Sequence, residues 1–312
     1  MNTEIKEPLL QEDPIYENYS IKTPYEDHSC CLLHIAYFDK AKMWILGDWI
    51  ISPLNPIIIT IMFLIISGIG YYDVIHYIDN SRIRSAVIII FSYLAISVCY
   101  CYFSIIIIGP GYLPFNYSIT KNYNPDWEEQ CRTFVVFHEQ MEFARQSKRP
   151  PRCCFSIAAR RFVLRADHFC YWTNVWIGLK NMRYFVLMNA YMFFYGLCWF
   201  IMHHWWAQSF KSFHWTRLLT IIFGLIEIIP FVLSLKYFIG ALVGLKRNLT
   251  MLEKFKGINV SKFDNGCLNN FSEVCGNKKF CLLWWIPFIC FKPTIDGLYD
   301  EEMEYFSTKM YS

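Results

Sequence analysis

Residues 185–207 read FVLMNAYMFFYGLCWFIMHHWWA, an apolar run whose length decides the architecture. A helix needs about 20 consecutive apolar residues to cross the hydrocarbon core of a bilayer. Three further stretches reach that length, at roughly 54–75, 84–108 and 218–244, so four transmembrane helices are expected. The positive mean hydropathy and 19% aromatic content of the 312-residue chain agree, and exclude an ordinary soluble protein of one or two domains. The fold class expected is an all-α integral membrane protein with a large loop between the second and third helices.

Charge orients these helices, because short loops rich in Lys and Arg stay on the cytosolic side. Residues 109–184 carry many basic side chains, among them Lys148, Arg149, Arg152, Arg160, Arg161 and Arg165, and the C-terminal region adds Lys246, Arg247, Lys254 and Lys256. The two remaining loops hold only Arg82, Arg84, Lys211 and Arg217. Both termini and the central loop are therefore expected in the cytosol. The net charge of +3 reflects this asymmetry and does not suggest a nucleic-acid partner. The first ~30 residues are polar and acidic, lack a basic n-region, and read as a flexible tail instead of a cleavable signal. The expected division is a tail at 1–42, two helices at 43–108, a cytosolic domain at 109–184, two helices at 185–244 and a C-terminal region at 245–312.

The chain has thirteen cysteines. A reducing cytosol disfavours disulfides there, and no close pair has the C-x2-C spacing of a zinc site: Cys30 and Cys31 adjoin, as do Cys153 and Cys154, and Cys99 is two residues from Cys101.

A loop of this length is usually functional. Its second half, 149–185, reads RPPRCCFSIAARRFVLRADHFCYWTNVWIGLKNMRYF. The order PPR, VLR-x-DH-x-C-x-W-x-N-x-x-IG and N-x-RYF resembles the cysteine-rich domain of the DHHC family of protein S-acyltransferases. The flanks resemble that family in the same order. GPGYLP at 109–114 is similar to its DPG-x-x-P box through Pro110 and Gly111, and TMLE at 250–253 to its T-T-x-E box through Thr250 and Glu253. FDNGCLNNFSEVCG at 263–276 keeps the spacing of its C-terminal motif through Gly266, Asn270, Val274 and Gly276.

The resemblance implies transfer of a palmitoyl or other long acyl group from acyl-CoA through a Cys170 thioester to cysteines of membrane-associated proteins. Cys170 is the expected nucleophile, His168 its base and Asp167 the acid that orients the imidazole. Arg152, Arg160, Arg161 and Arg165 are candidates for the coenzyme A phosphates, against the plain reading of positive-inside bias. Trp172 and Asn174 complete the expected substrate-binding set. Acyl-CoA is the co-substrate, and lipids and protein thiols are the partners. The compartment implied is an endomembrane: Golgi, endoplasmic reticulum or plasma membrane.

One departure is large. The family's domain is usually held by two zinc ions, and its eight ligand positions fall here on Glu142, Arg145, Phe155, Ser156, Ala159, Phe162, Phe169 and Trp176. No zinc is expected. Decay to an inactive scaffold or adaptor is one explanation. Replacement of the metals by an apolar core around Phe155, Phe162, Phe169 and Trp176 is the other. All eight metal positions have changed while Asp167, His168, Cys170, Trp172 and Asn174 remain, which favours a retained active site, although Tyr171 replaces the usual Pro.

Other residues have ordinary readings. Glu227 and Lys236 lie in the fourth helix, the first structural and the second near enough to the helix end to snorkel, and Pro230 is expected to kink it. His203, His204, Trp205 and Trp206 fit an aromatic belt. The run FCLLWWIPFICF, 280–291, is too short to span and reads as an interfacial segment. A four-helix transporter lacks paired intramembrane charges or an internal repeat.

Overall fold

The computed structural model describes residues 25–30, 33–38, 43–46, 49–51, 54–112, 152–156, 161–209, 215–259 and 261–297. It is mostly helical, and four of its helices are long and apolar enough to cross a membrane.

Four short strands come first and pair in sequence as an antiparallel meander: β1 (Tyr25–Cys30), β2 (Leu33–Phe38), β3 (Met43–Leu46) and β4 (Trp49–Ile51). Strand pairing thus enters a stretch expected to be a flexible tail, and the first helix opens at Leu54, where the span expected at roughly 54–75 begins. Segments such as LHIAYF and MWIL carry β-branched and aromatic residues, which favour strands.

Helix α1 (Leu54–Tyr77) turns within three residues into α2 (Ser81–Ile108). The Asn80 side chain caps α2 by accepting from the backbone N–H groups of Arg82 and Ile83. Two small antiparallel hairpins follow, β5 (Cys154–Ser156) with β6 (Arg161–Val163) and β7 (His168–Cys170) with β8 (Val175–Ile177). They are the strands described in the loop between the second and third spans, in a molecule whose membrane portion is helical as expected. Helices α3 (Met182–Ser209) and α4 (Trp215–Lys246) complete the bundle, α4 containing Pro230. Two short helices, α5 (Met251–Phe255) and α6 (Cys267–Cys275), and a 3-10 segment at Lys278–Trp285 pack beneath it.

The candidate spans are Asn55–His76, Ser81–Ile108, Met182–Met202 and Ile228–Lys246, close to the expected ranges. Helix α3 packs against both α2 and α4, and α1 lies on α2. Ile57, Ile61, Ile65, Ile89, Ile96, Ile201, Ile229 and Ile239 point outward. So large an apolar exterior is a liability in water and a match for hydrocarbon. Inside, Phe91, Leu94, Tyr195 and Trp199 form one cluster, and Tyr195 donates a hydrogen bond to Ser67. A second cluster joins Cys101, Ile105, Phe185, Leu187, Ala241 and Leu245 to Cys170, Ile177, Val274 and Trp284. This cluster welds the β7–β8 hairpin and the C-terminal helices to one end of the bundle.

The end of α2 sets the docking of the hairpins. The Gly109 N–H reaches Ile105 O, after which the chain leaves the helix through Gly109 and Gly111, both at positive φ. The Pro110 carbonyl then accepts from Lys180 N, and the Gly111 carbonyl from Leu164 N. At the far edge Arg183, 1% exposed, donates to the carbonyls of Trp284, Ile286 and Ile289 and holds the 280–291 stretch against the base of α3. Phe280, Leu282, Trp285 and Phe288 in that stretch are exposed.

Candidate active site

The β7–β8 ladder pairs His168 with Ile177, Phe169 with Trp176, and Cys170 with Val175. Side chains alternate along a strand, so His168 and Cys170 share one face while Phe169 and Trp176 share the other. The inner face meets the bundle: Cys170 is 4% exposed, and the His168 ring stands edge-on to Phe185 at 4.9 Å. Asn174 takes positive φ in the connecting turn, and Thr173 donates to the Cys170 carbonyl at 3.3 Å.

Asp167 Oδ2 accepts from His168 Nδ1 at 2.7 Å, and the imidazole and the Cys170 thiol shift one another's ionisation. Burial pushes the Cys170 thiol up, but the hydrogen bonds from His168 and Thr173 and the imidazolium charge outweigh it, and the net shift is downward. Burial pushes His168 down, yet its bonds to Asp167 and Cys170 and their charges raise it to about 9. Burial also opposes ionisation of Asp167, and the His168 bond and charge, the Met251 N–H and the Arg165 charge together hold it below the usual carboxylate range. Cys275 supplies the contrast: it is buried without such a partner and is pushed up to about 12 even with Arg183 and Arg165 nearby. The polar environment around Cys170, not burial itself, lowers its thiol toward ionisation.

A clamp from beyond the fourth span holds the triad. Asp167 Oδ1 accepts from Met251 N at 2.9 Å, and the Asp167 carbonyl accepts from Leu252 N at 3.0 Å. These donors belong to the first turn of α5, where Thr250 and Glu253 form a capping box. Glu253 in turn takes a two-point grip from Arg152, Nε to Oε1 at 2.8 Å and Nη2 to Oε2 at 2.9 Å. The hub is Asn248, fully buried and at positive φ. Its side-chain oxygen accepts from Arg152 and Arg165, and its nitrogen donates to Phe263 O and Glu273 Oε2. The C-terminal motif supports the same hub, as Asn270 donates to Lys246 O and Asp264 Oδ1 while Val274 packs in the core and Gly266 and Gly276 flank α6 at positive φ.

Most residues expected in the site fall within the described structure. Arg152 and Arg165 are 4% and 1% exposed and bonded internally, so the structure removes them from the phosphate-binding surface expected of them. Arg160, Glu142, Arg145 and Ala159 lie outside the described residues, as does the Arg161 side chain. Trp172 is exposed at the mouth of the ladder. Its carbonyl accepts from the Tyr102 hydroxyl at 2.9 Å, and the Tyr171 carbonyl from Asn55 at 3.3 Å, which ties the turn after the nucleophile to α2 and α1. Tyr102, Asn55, Asn248 and Thr173 were not singled out by sequence. A lone Asn two residues before Thr250, or a Tyr within an apolar helix, carries no periodic signal. Asn181 lies within the N-x-RYF match, where it bonds Gly178 N, Trp176 O and Ile105 O.

The residues at the expected metal positions do not fit zinc. Phe155 stands opposite Phe162 with ring centroids 5.0 Å apart, and Phe169 opposite Trp176 at 6.1 Å. Carbon rings offer no lone pair, and Ser156 alone is no normal zinc ligand. Among the described residues no group of three or more His, Cys, Asp or Glu side chains is placed to hold a metal ion.

Known proteins resemble this chain in sequence. Residues 136–258 match the family model described as DHHC palmitoyltransferase. The chain is 26% identical over 229 residues to "Probable protein S-acyltransferase 12" of Arabidopsis thaliana, covering 70% of this chain and 78% of that protein. It is 35% identical over 137 residues to palmitoyltransferase ZDHHC8B of Danio rerio, covering 40% of this chain and 17% of that protein. It is 31% identical over 162 residues to palmitoyltransferase ZDHHC15 of Xenopus laevis, covering 46% and 44%. The chain therefore spans most of the plant protein and less than half of the two vertebrate ones. The matched region opens before Arg152 and closes after Glu253, so the part of the chain that resembles the DHHC palmitoyltransferase model encloses both the ladder and its clamp.

Proposed function

We propose that this chain is a multi-pass membrane protein S-acyltransferase that carries a long acyl group on Cys170. The supporting observation is the trio Asp167, His168 and Cys170, with 2.7 Å between carboxylate and imidazole and a thiol shifted toward thiolate. The Cys170 thiolate attacks the thioester carbonyl of acyl-CoA. A C–S bond forms to Cys170 as the bond to coenzyme A breaks, and the His168 imidazolium gives its proton to the departing thiolate. In the second half His168 accepts the proton of a substrate cysteine, whose sulfur takes the acyl group and releases the Cys170 thiolate. Atoms balance: acyl-CoA and a protein thiol become coenzyme A and a protein thioester. Asp167 stays ionised and keeps the imidazole oriented.

The apolar bundle suits the acyl chain. Moving a chain into hydrocarbon is worth roughly 0.8 kcal/mol per methylene, so a palmitoyl tail gains by lying along the spans while its thioester meets Cys170 at their end. With Arg152 and Arg165 committed inside, Arg160 and Arg161 are the basic residues left to meet coenzyme A phosphates, and Trp172 with Asn174 border the turn beside the nucleophile. The basic loops put both termini and the hairpins in the cytosol of an endomembrane, where acyl-CoA and membrane-associated substrate proteins are found.

The test is incubation of the purified protein with an alkyne-tagged fatty acyl-CoA. Hydroxylamine-sensitive label on the Cys170 peptide, absent in Cys170→Ser, is the expected result. Label that persists unchanged in Cys170→Ser, or no label on Cys170 at all, sinks the acyl-enzyme and leaves a silent scaffold.

A further inference from the structure

The two faces of the β7–β8 ladder have different tasks. His168 and Cys170 need to stand on one face, two residues apart, for imidazole and thiol to meet. A two-stranded ladder of three residues a side does not hold its own register in water, and a slip of one residue turns every side chain to the opposite face. Such a slip would carry Cys170 away from the bundle and bring Phe169 inward. Whatever fixes the pairing of Phe169 with Trp176 therefore fixes the geometry of catalysis.

In this chain that pairing is aromatic. Phe169 and Trp176 are direct cross-strand partners in a near-perpendicular, edge-to-face arrangement at 72°, and Tyr171 adds a second edge contact to Phe169 at 5.3 Å. Edge-to-face is the favoured contact of two rings, because the positive rim of one meets the negative face of the other. The neighbouring hairpin repeats the device: Phe155 pairs with Phe162, which is 1% exposed and packs with Cys153, Leu164 and Leu179. The ladder is also pinned from inside, where Asn181 bonds the Trp176 carbonyl and Asp167 N bonds Ile177 O. A ring pair outside and a hydrogen-bonded backbone inside leave the strand one register.

We propose that Phe169 and Trp176 are positioning residues which hold His168 and Cys170 in register by ring packing, so that the thiol of this chain is activated without a metal. The inference rests on the acyl-transfer reading above and deepens it. It also accounts for the retention of Asp167, His168 and Cys170 beside positions unable to bind zinc.

The test reads Cys170 directly, without turnover. Full-length protein in detergent is alkylated with iodoacetamide across the pH range, and the rate at the Cys170 peptide is resolved by mass spectrometry. In the unmodified protein the midpoint should lie below the ordinary thiol value of about 8.5 and stay there after exhaustive treatment with a zinc chelator. Trp176→Ala should raise the midpoint to about 8.5, whereas Trp176→Phe, which keeps a ring, should retain the low one. A chelator-induced rise in the unmodified protein overturns the proposal, and so does a folded Trp176→Ala with an unchanged midpoint. If Trp176→Ala does not fold, the chelator arm and Trp176→Phe decide. An ordinary midpoint in the unmodified protein strikes at the acyl-transfer reading itself, whereas a low midpoint that depends on zinc strikes only at the aromatic pair.

Discussion

Met251 donates its backbone N–H to Asp167 Oδ1 at 2.9 Å, across eighty-four residues of sequence. Through this bond the segment after the fourth span reaches the orienting carboxylate of the triad. The donor is main chain, so the side chain at 251 is free to vary, and the Met that stands where the family motif has Thr leaves the contact intact. The same carboxylate accepts from His168 with its other oxygen, and the Leu252 N–H secures its backbone carbonyl. Asp167 is therefore both an electrostatic partner and a joint between the hairpin and α5.

Replacing that carboxylate should damage chemistry more than folding. Asp167→Asn keeps the shape and an acceptor for Met251 but removes the charge that holds the imidazolium. Acyl-enzyme formation on Cys170 should slow by about 10²- to 10⁴-fold, the usual scale of a general acid–base contribution. Single-turnover labelling, with thermal unfolding as the control, measures both.

The pH dependence follows from the same group of residues. With Cys170 lowered by its contacts with His168 and Thr173, and His168 raised to about 9, the rate of acyl-enzyme formation should fall above about 9 as His168 loses its proton. Stability has a matching sign. The folded-state pKa of His168 is raised, so its contribution is complete below the unfolded value of about 6.5 and is lost as pH rises through about 9. Asp167 is lowered, so its contribution is present above its unfolded value and is lost as pH falls through the folded one. Melting temperature against pH should decline at both ends, and His168→Gln should flatten the alkaline decline.

Arg152 and Glu253 form a buried two-point ion pair with neither side chain open to water. Removing one member strands the other, which costs about 3–5 kcal/mol for pairs of this kind. Arg152→Ala should lower the melting temperature by roughly 10 °C. Arg152→Lys should recover only part of this, because an ammonium does not reproduce the planar fork. Thermal unfolding in detergent checks both variants.

Gly178 has no room for a methyl group. A Cβ there would lie 2.8 Å from the carbonyl oxygens of Leu164 and Pro110 and 2.9 Å from Val163. Backbone atoms that carry their own hydrogen bonds cannot give way, so Gly178→Ala should destabilise by about 1–3 kcal/mol and loosen both hairpins from α2. Faster hydrogen exchange at Leu164 and Lys180, whose N–H groups bond the Gly111 and Pro110 carbonyls, is the specific readout.

Arg183 is the sole side chain among the described hydrogen bonds that gathers the carbonyls of Trp284, Ile286 and Ile289. Arg183→Ala should free the 284–290 stretch, seen as increased hydrogen exchange and proteolysis there. Cys170 labelling should be reduced less than in Asp167→Asn, since Arg183 makes no bond to the triad.

Much of this protein could be read from the sequence because the relevant physics is local. Hydrocarbon thickness sets a span length that any run such as 185–207 either meets or misses, and α1 to α4 fall where those runs are. Asp167, His168 and Cys170 lie within four residues, so a strand of three places them together. The Arg152 and Arg165 assignments needed tertiary structure, because an arginine before a reactive cysteine looks the same whether it faces solvent phosphate or a buried Asn248. Asn248, Tyr102 and Asn55 act through partners many tens of residues away, and single polar residues at that separation leave no pattern to detect. The strand alternation that puts Phe169 and Trp176 on the reverse of the catalytic face likewise emerged only from the pairing. Sequence determined the spans and set Asp167, His168 and Cys170 side by side, since length and adjacency suffice for those. Folding decided which charges are buried, which rings meet and what holds the triad, since each of these depends on segments brought together from distant parts of the chain.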